Sequence, residues 1–337
     1  MKLLTVTVPC YNSQAYMRAC IDSLLPGGDR VEVIIIDDGS TDDTGRIADE
    51  YVEKYPNICR VIHQENGGHG EGINQGIRHA TGKYFKVVDS DDKLSEDFVG
   101  FLDQLEQLDS KGDLDLFVTN YYYVHADGVG DRSINYSNAL PQYKIFTWEE
   151  TEPFRIHQLL TIHSCTFRTE LMRRWPIELP KHTFYEDNLM VSLTLLNVEK
   201  MAYRNSDLYR YSIGREGQSV QESSMKKRYT HQVLVSQLCF CTCHIDDIQS
   251  PRKRKYVKHE LFMMLGIATV FARLVKTDEA DQVLTKMWEA CAQHDAKWAN
   301  HFRKRTALWC INLPGKGGRS FTNGIYHLAN KVVRFNQ

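Results

Sequence analysis

The stretch VEVIIIDDGSTD, residues 31–42, decides how this chain is read. Val31 to Ile36 is nearly all β-branched and shows no polar alternation. Such a run belongs in a strand buried on both faces, as in a parallel sheet flanked by helices. It ends on Asp37, Asp38 and Gly39, a pattern that suits a tight turn with Gly39 at positive φ. Ser40 or Thr41 then stands at the N-cap position of a helix predicted over 42–54, with acids in its first turn.

Working outward, the same punctuation recurs. Leu3 to Val8, Ile58 to His63, Lys83 to Val88 and Leu114 to Thr119 read as further strands. Helical spacing marks 14–25, closed by Pro26-Gly27-Gly28, as well as 69–80 and 95–108, the last with Ser95 at its start. Strands alternating with helices of this length imply right-handed crossovers and a mostly parallel α/β sheet. Residues 121–224 are mixed and rich in Tyr, Thr and His. Apolar periodicity then predicts helices at roughly 226–245, 252–276, 278–292 and 295–310. The expected organisation is one α/β domain over 1–224, split at 120 into two halves, a helical region over 225–320 and a loose tail over 321–337.

The chain has 337 residues, 42% hydrophobic and 25% charged, with a formal net charge of -2. This composition excludes collagen-like, low-complexity and wholly disordered chains. The small net charge conceals an asymmetry. Residues 1–224 carry 22 Lys+Arg against 35 Asp+Glu, and residues 225–337 carry 19 against 8. The basic third, which includes Pro251-Arg252-Lys253-Arg254-Lys255, suits either an anionic partner such as a lipid surface or a merely solvated face. No nucleic-acid-binding motif accompanies it. No apolar run reaches the roughly 18 residues of a membrane helix. The opening MKLLTVTVP begins as a strand and lacks a signal-peptide pattern. Nine cysteines form no regular framework, which suggests reduced thiols. The expected location is cytoplasmic, with peripheral contact at the inner face of the plasma membrane. Cys239, Cys241, Cys243 and His244 lack zinc-site spacing and read as buried helix residues.

In an open α/β sheet, ligands bind beyond the carboxyl ends of the strands. Four successive strand ends carry Pro9-Cys10-Tyr11-Asn12, Asp37-Asp38-Gly39-Ser40, Glu65-Asn66-Gly67-Gly68-His69-Gly70 and Asp89-Ser90-Asp91-Asp92. Three carboxylates within four residues repel one another unless a hard cation neutralises them, which points to Mg²⁺ or Mn²⁺ bound together with phosphate oxygens. The competing reading is a solvated turn that caps the next helix. Asp37 and Asp38 either form a turn or accept from a nucleobase or ribose. Gly70, Gly72 and Gly76 fall short of a dinucleotide fingerprint in spacing and follow the wrong strand.

Taken together, VPCYN at 8–12, IIIDDGSTD at 34–42, NGGHGEGIN at 66–74 and VVDSDD at 87–92 resemble the family 2 glycosyltransferases of the GT-A fold. The resemblance is close over about the first 120 residues and looser through Glu186-Asp187 and Tyr209 to Val220. It implies inverting transfer of a sugar from a nucleotide donor. Pro9 and Tyr11 would line the base, Asp38 would accept from uracil N3–H, and Gly68 would belong to the donor loop. Asp89 and Asp91 would form the D-x-D pair that holds a divalent cation on the donor diphosphate, with Asp92 able to share or replace one role. Asp187 would be the general base, with Glu186 as the alternative. His163 and Arg215 are candidate acceptor or phosphate contacts. The implied donor is a UDP-sugar and the implied acceptor a bacterial surface glycan or lipid-linked glycan. Homodimerisation through the helical region is an open reading. The Q-x-x-R-W motif of processive relatives is absent. A sugar nucleotidyltransferase would want a Gly-rich loop with Arg and Lys after the first strand, and PCYNSQA offers none. A non-catalytic nucleotide- or glycan-binding module is the remaining alternative.

Overall fold

In the computed structural model, the first elements alternate as β1 (Leu4–Cys10), α1 (Met17–Leu24), β2 (Val31–Asp38), α2 (Thr44–Lys54), β3 (Cys59–Gln64), α3 (His69–His79) and β4 (Tyr84–Val87). There follow β5 (Lys93–Leu94), α4 (Phe98–Asp109), β6 (Leu116–His125), β7 (Arg132–Ile134), β8 (Ile145–Thr147), β9 (Cys165–Arg168), α5 (Thr169–Met172), α6 (Glu186–Leu195) and β10 (Lys200–Ile213). The structure describes residues 2–125, 128–214, 222–313 and 315–333, with side chains up to 326.

The sheet runs β3-β2-β1-β4-β9-β6-β10-β5, with β7 on β6 and β8 on β10. β1, β2, β3 and β4 are mutually parallel, and β6 is parallel to β10. β9 is antiparallel to both β4 and β6, so the sheet is mixed beyond its parallel first half. Every residue of β2 is buried, as its β-branched run requires.

Side-chain alternation assigns the two faces. Leu4, Val6 and Val8 of β1 and Val31, Val33 and Ile35 of β2 join one core with Cys20 and Leu24 of α1, Tyr51 of α2 and Phe101 and Leu105 of α4. The opposite face carries α3. A Cβ on Gly76 would lie 2.4 Å from Thr7 Oγ1, and one on Gly72 would lie 3.1 Å from Pro9 Cβ. Glycine at these positions lets α3 lie close against β1.

The chain divides into two compact units, Met1–Ile213 and Gly214–Gln337. The second is helical: α7 (Glu222–Lys227), α8 (Tyr229–Cys241), α9 (Pro251–Val275), α10 (Asp278–His294), α11 (Ala296–Arg305), α12 (Leu308–Ile311) and α13 (Gly315–Val333). Pro251 opens α9, and Ser250 Oγ accepts from Lys253 N. The segment 321–337, read from sequence as a loose tail, instead carries α13 as far as Val333. Its P-G-K-G-G start obscured a helix whose apolar residues repeat at helical spacing. Among the described residues, no helix is long and apolar enough to cross a membrane.

Candidate functional site

The site forms where the carboxyl ends of β1, β2 and β4 meet the start of α3. Pro9 is buried under α3, whereas Tyr11 is 55% exposed and leaves its ring free to stack on a ligand. Asn12 Oδ1 accepts from Thr41 N at 2.9 Å, tying the first strand loop to the second.

Asp37 faces inward. Its Oδ1 accepts from Ser40 N at 3.1 Å, and its Oδ2 lies 2.9 Å from His63 Nδ1. Asp38 Oδ1 accepts from Gln64 Nε2 at 2.6 Å and Gly67 N at 2.7 Å, while Oδ2 accepts from Gly68 N at 2.8 Å. Three of its roughly four acceptor positions are thus filled by protein. The carboxylate holds the glycine loop, and one Oδ2 lone pair is left for a ligand. Gly68 itself has φ 84°, and a Cβ there would lie 2.9 Å from His182 N, so glycine is required twice over.

The acid cluster follows β4. Asp92 N–H donates to Asp89 O at 2.9 Å and closes a turn. Strand β10 clamps that turn from the side. Tyr209 Oη accepts from Asp89 N at 3.2 Å and donates to Asp92 Oδ2 at 2.7 Å, and Ser212 N donates to Asp92 Oδ1 at 2.7 Å. Burial, then the charges of Asp89 and Asp91, push the Asp92 carboxyl well above its usual range. Burial works in the same direction on Asp89, but the hydrogen bond and charge of His69 overcome it and hold Asp89 low. Asp91 is half-buried on the same turn.

His163 lies beside this cluster. Its Nε2 is 4.0 Å from Asp89 Oδ2, and its ring stacks on Tyr211 with centroids 4.4 Å apart. Tyr209 meets it edge-on at 4.9 Å. Burial pushes its pKa down to about 4 against the pull of Asp89, so the ring is neutral. Among the described residues, the buried Nδ1 has no hydrogen-bond partner. Lys86, wholly buried, donates to His163 O at 2.8 Å and holds that segment in place. Asp89, Asp92 and His163 each offer one ligand atom within 4.8 Å of the others. Carboxylate oxygens with a neutral imidazole suit a divalent cation.

The other wall is the start of α6. Tyr185 precedes it at φ 71°, and Glu186 and Asp187 occupy its first turn. Burial, then the charge of Glu186, raise the Asp187 pKa to about 7. Between the two walls stands His69, with Nδ1 at 2.7 Å from Glu186 Oε1 and Nε2 at 2.9 Å from Asp89 Oδ1. Burial disfavours its charged form, but the two carboxylates outweigh burial and its pKa lies well above the usual value. Both nitrogens therefore donate.

The structure thus brings Asp89, His163 and the Glu186-Asp187 pair together, and places Pro9, Tyr11, Asp38 and Gly68 along the same sheet edge. Arg215 lies outside the described residues. Sequence reasoning gave no role to His69 or Lys86, and it marked Tyr209 and Tyr211 only as part of the Tyr209 to Val220 stretch. For His69 a signal existed, since it is the one ionisable side chain within Gly67-Gly68-His69-Gly70. Nothing local marks Lys86.

The description of glycosyl transferase family 2 matches residues 5–173. Glycosyltransferase GlyG of Streptococcus pneumoniae is 41% identical over 130 residues, which is 38% of this chain and 42% of that protein. The minor teichoic acid biosynthesis protein GgaB of Bacillus subtilis is 25% identical over 344 residues, covering 96% of this chain and 36% of that protein. The chain thus spans less than half the length of these relatives. Among solved structures, S. aureus TarS residues 1–349 in complex with UDP-GlcNAc superposes with a TM-score of 0.67 at 21% identity, over 100% of this chain and 93% of that one.

Proposed function

Because the chain belongs to glycosyl transferase family 2, we propose that it moves a sugar, with inversion, from a UDP-sugar to a hydroxyl of a glycan or lipid-linked glycan. The observation that carries this reading is the raised pKa of Asp187, about 7, on the residue next to Glu186, which His69 ties to Asp89. A base poised near neutrality suits removal of a proton from an acceptor hydroxyl. In the transfer, the acceptor oxygen bonds to the anomeric carbon as the bond to the diphosphate oxygen breaks. The hydroxyl proton goes to Asp187. Tyr11 stacks on the base, Asp38 keeps the glycine loop in shape, and its remaining lone pair accepts from the base N–H.

Asp89 and Asp91 would hold a divalent cation, with His163 beside them. Asp92 is the weaker candidate, because both its oxygens already accept from Tyr209 and Ser212. A bound cation would stabilise the charge that develops on the departing diphosphate. The basic residues of 225–337 suit contact with an anionic lipid surface that carries the acceptor. The relation to GgaB, a teichoic acid biosynthesis protein, favours an acceptor of the bacterial cell envelope.

The test is release of UDP from a panel of UDP-sugars with Mn²⁺ and with chelator, using wild type and Asp187→Asn. Metal-dependent turnover that Asp187→Asn abolishes, while UDP binding persists, supports the reading. Unchanged turnover in that variant removes Asp187 as the base.

A further inference from the structure

We propose that His69 is a positioning residue that ties the donor-side acid Asp89 to the helix carrying the base, acting through Glu186. The inference rests on the glycosyltransferase reading above and adds a part that neither the D-x-D motif nor the E-D pair contains.

The geometry is specific. One imidazole spans two carboxylates that lie 20 and 117 residues away in sequence. Glu186 is 2% exposed, and among the described residues His69 is its hydrogen-bond donor. A buried carboxylate with its donor removed turns toward water or toward another cation. Here it would carry the first turn of α6 with it, and Asp187 is the next residue. Asp89 and Glu186 are like charges, both felt by Asp187, and His69 stands between the first two as the donor that lets them stay close.

The backbone is built for this reach. A Cβ on Gly70 would lie 2.8 Å from Glu186 Cγ, so the glycine after His69 lets α3 approach α6. The two segments are also locked independently of His69. Asn74 Nδ2 donates to Leu179 O at 3.0 Å, Leu179 N donates to Asn74 Oδ1 at 3.1 Å, and His182 N donates to Gly67 O at 2.8 Å. Asp89 has its own anchor, since its N–H donates to Tyr209. Loss of the imidazole therefore leaves the fold and the donor loop standing. What it removes is the fixed distance between the donor acid and the base.

The test compares wild type, His69→Ala, Glu186→Gln, the double variant and Asp187→Asn in steady-state transfer. His69→Ala is expected to lower kcat by about tenfold or more, with donor KM changed less than about threefold. Because His69 acts through Glu186, the double variant should be no slower than the slower single one. His69→Gln, which retains bulk and one donor group, should fall between wild type and His69→Ala, and it carries the comparison if the alanine variant does not fold. Wild-type kcat in His69→Ala, or losses that multiply in the double variant, overturns the inference. If Asp187→Asn turns over normally or the wild type transfers no sugar, the underlying reading fails, and the inference with it.

Discussion

Asp38 and Gly68 are joined by a hydrogen bond of 2.8 Å, in which the Gly68 N–H donates to a carboxylate that is only 3% exposed. The same carboxylate accepts from Gly67 and Gln64. An acid that reads from sequence as a ligand contact is thus the part that shapes the glycine loop. The two roles are compatible because a carboxylate has more lone pairs than the loop uses.

Asp38→Asn should damage both roles. The amide places N–H groups against backbone donors and leaves at least one of them unsatisfied. We expect a loss of about 1–3 kcal/mol in unfolding free energy and a fall in UDP affinity of about tenfold or more, read by urea titration and by calorimetry. Wild-type stability would mean that the loop does not depend on this carboxylate.

Asp187 predicts the pH profile. Burial and then Glu186 raise its pKa to about 7, and the base works only when ionised. Activity in kcat/KM should therefore rise with pH through an ascending limb centred near 7. Glu186→Gln removes one of the raising charges and should move that limb toward lower pH even as it slows the reaction. A profile flat from pH 5 to about 8 would count against Asp187 as the titrating base.

The acid cluster can be dissected by two single changes. Asp91→Asn should abolish the Mn²⁺-dependent part of the thermal shift produced by UDP. Asp92→Asn disturbs the bonds to Tyr209 and Ser212, so it should lower melting temperature while retaining a metal-dependent shift. The reverse pattern would transfer the ligand role to Asp92, in keeping with its place beside Asp89 and His163.

The helical unit holds a separate titration. Glu260 of α9 is 5% exposed, its Oε2 has no hydrogen-bond partner among the described residues, and burial pushes its pKa up to about 8. The folded chain thus holds this proton more tightly than the unfolded chain, whose glutamate titrates at about 4.3. Its contribution to stability is complete below about pH 4 and is lost as pH rises through 8. Glu260→Gln should therefore gain about 4 kcal/mol of stability relative to wild type between pH 5 and 8.5. Equal urea midpoints for the two proteins at pH 8.5 would contradict the raised pKa of this buried side chain.

Much of the architecture is legible from residues 31–120 alone. The β-branched run at 31–36, the glycine and proline stops and the 3.6-residue periodicities are local signals, and these elements start within a few residues of their expected places, although β6 runs six residues past Thr119. Departures fall where local signals compete. Ser95 marks the turn before α4, but the helix starts at Phe98, after Asp97. The helix over Gly315–Val333 begins in a glycine-rich segment whose composition argues for a loop.

By itself the sequence determined the strand-helix alternation and therefore which four loops share one sheet edge, because side-chain shape and hydrophobic period act within a few residues. It also placed Asp38, Asp89, Asp91 and Asp187 as the acids to examine. Only the tertiary structure decided what those acids touch. His69 meets Asp89 and Glu186 across 20 and 117 residues, and Tyr209 reaches back 117 residues to Asp92. Hydrogen bonds of this kind are selected by where the sheet and α6 bring the backbone. The pKa values that follow depend on burial and on neighbouring charges, neither of which has a signature in the linear chain.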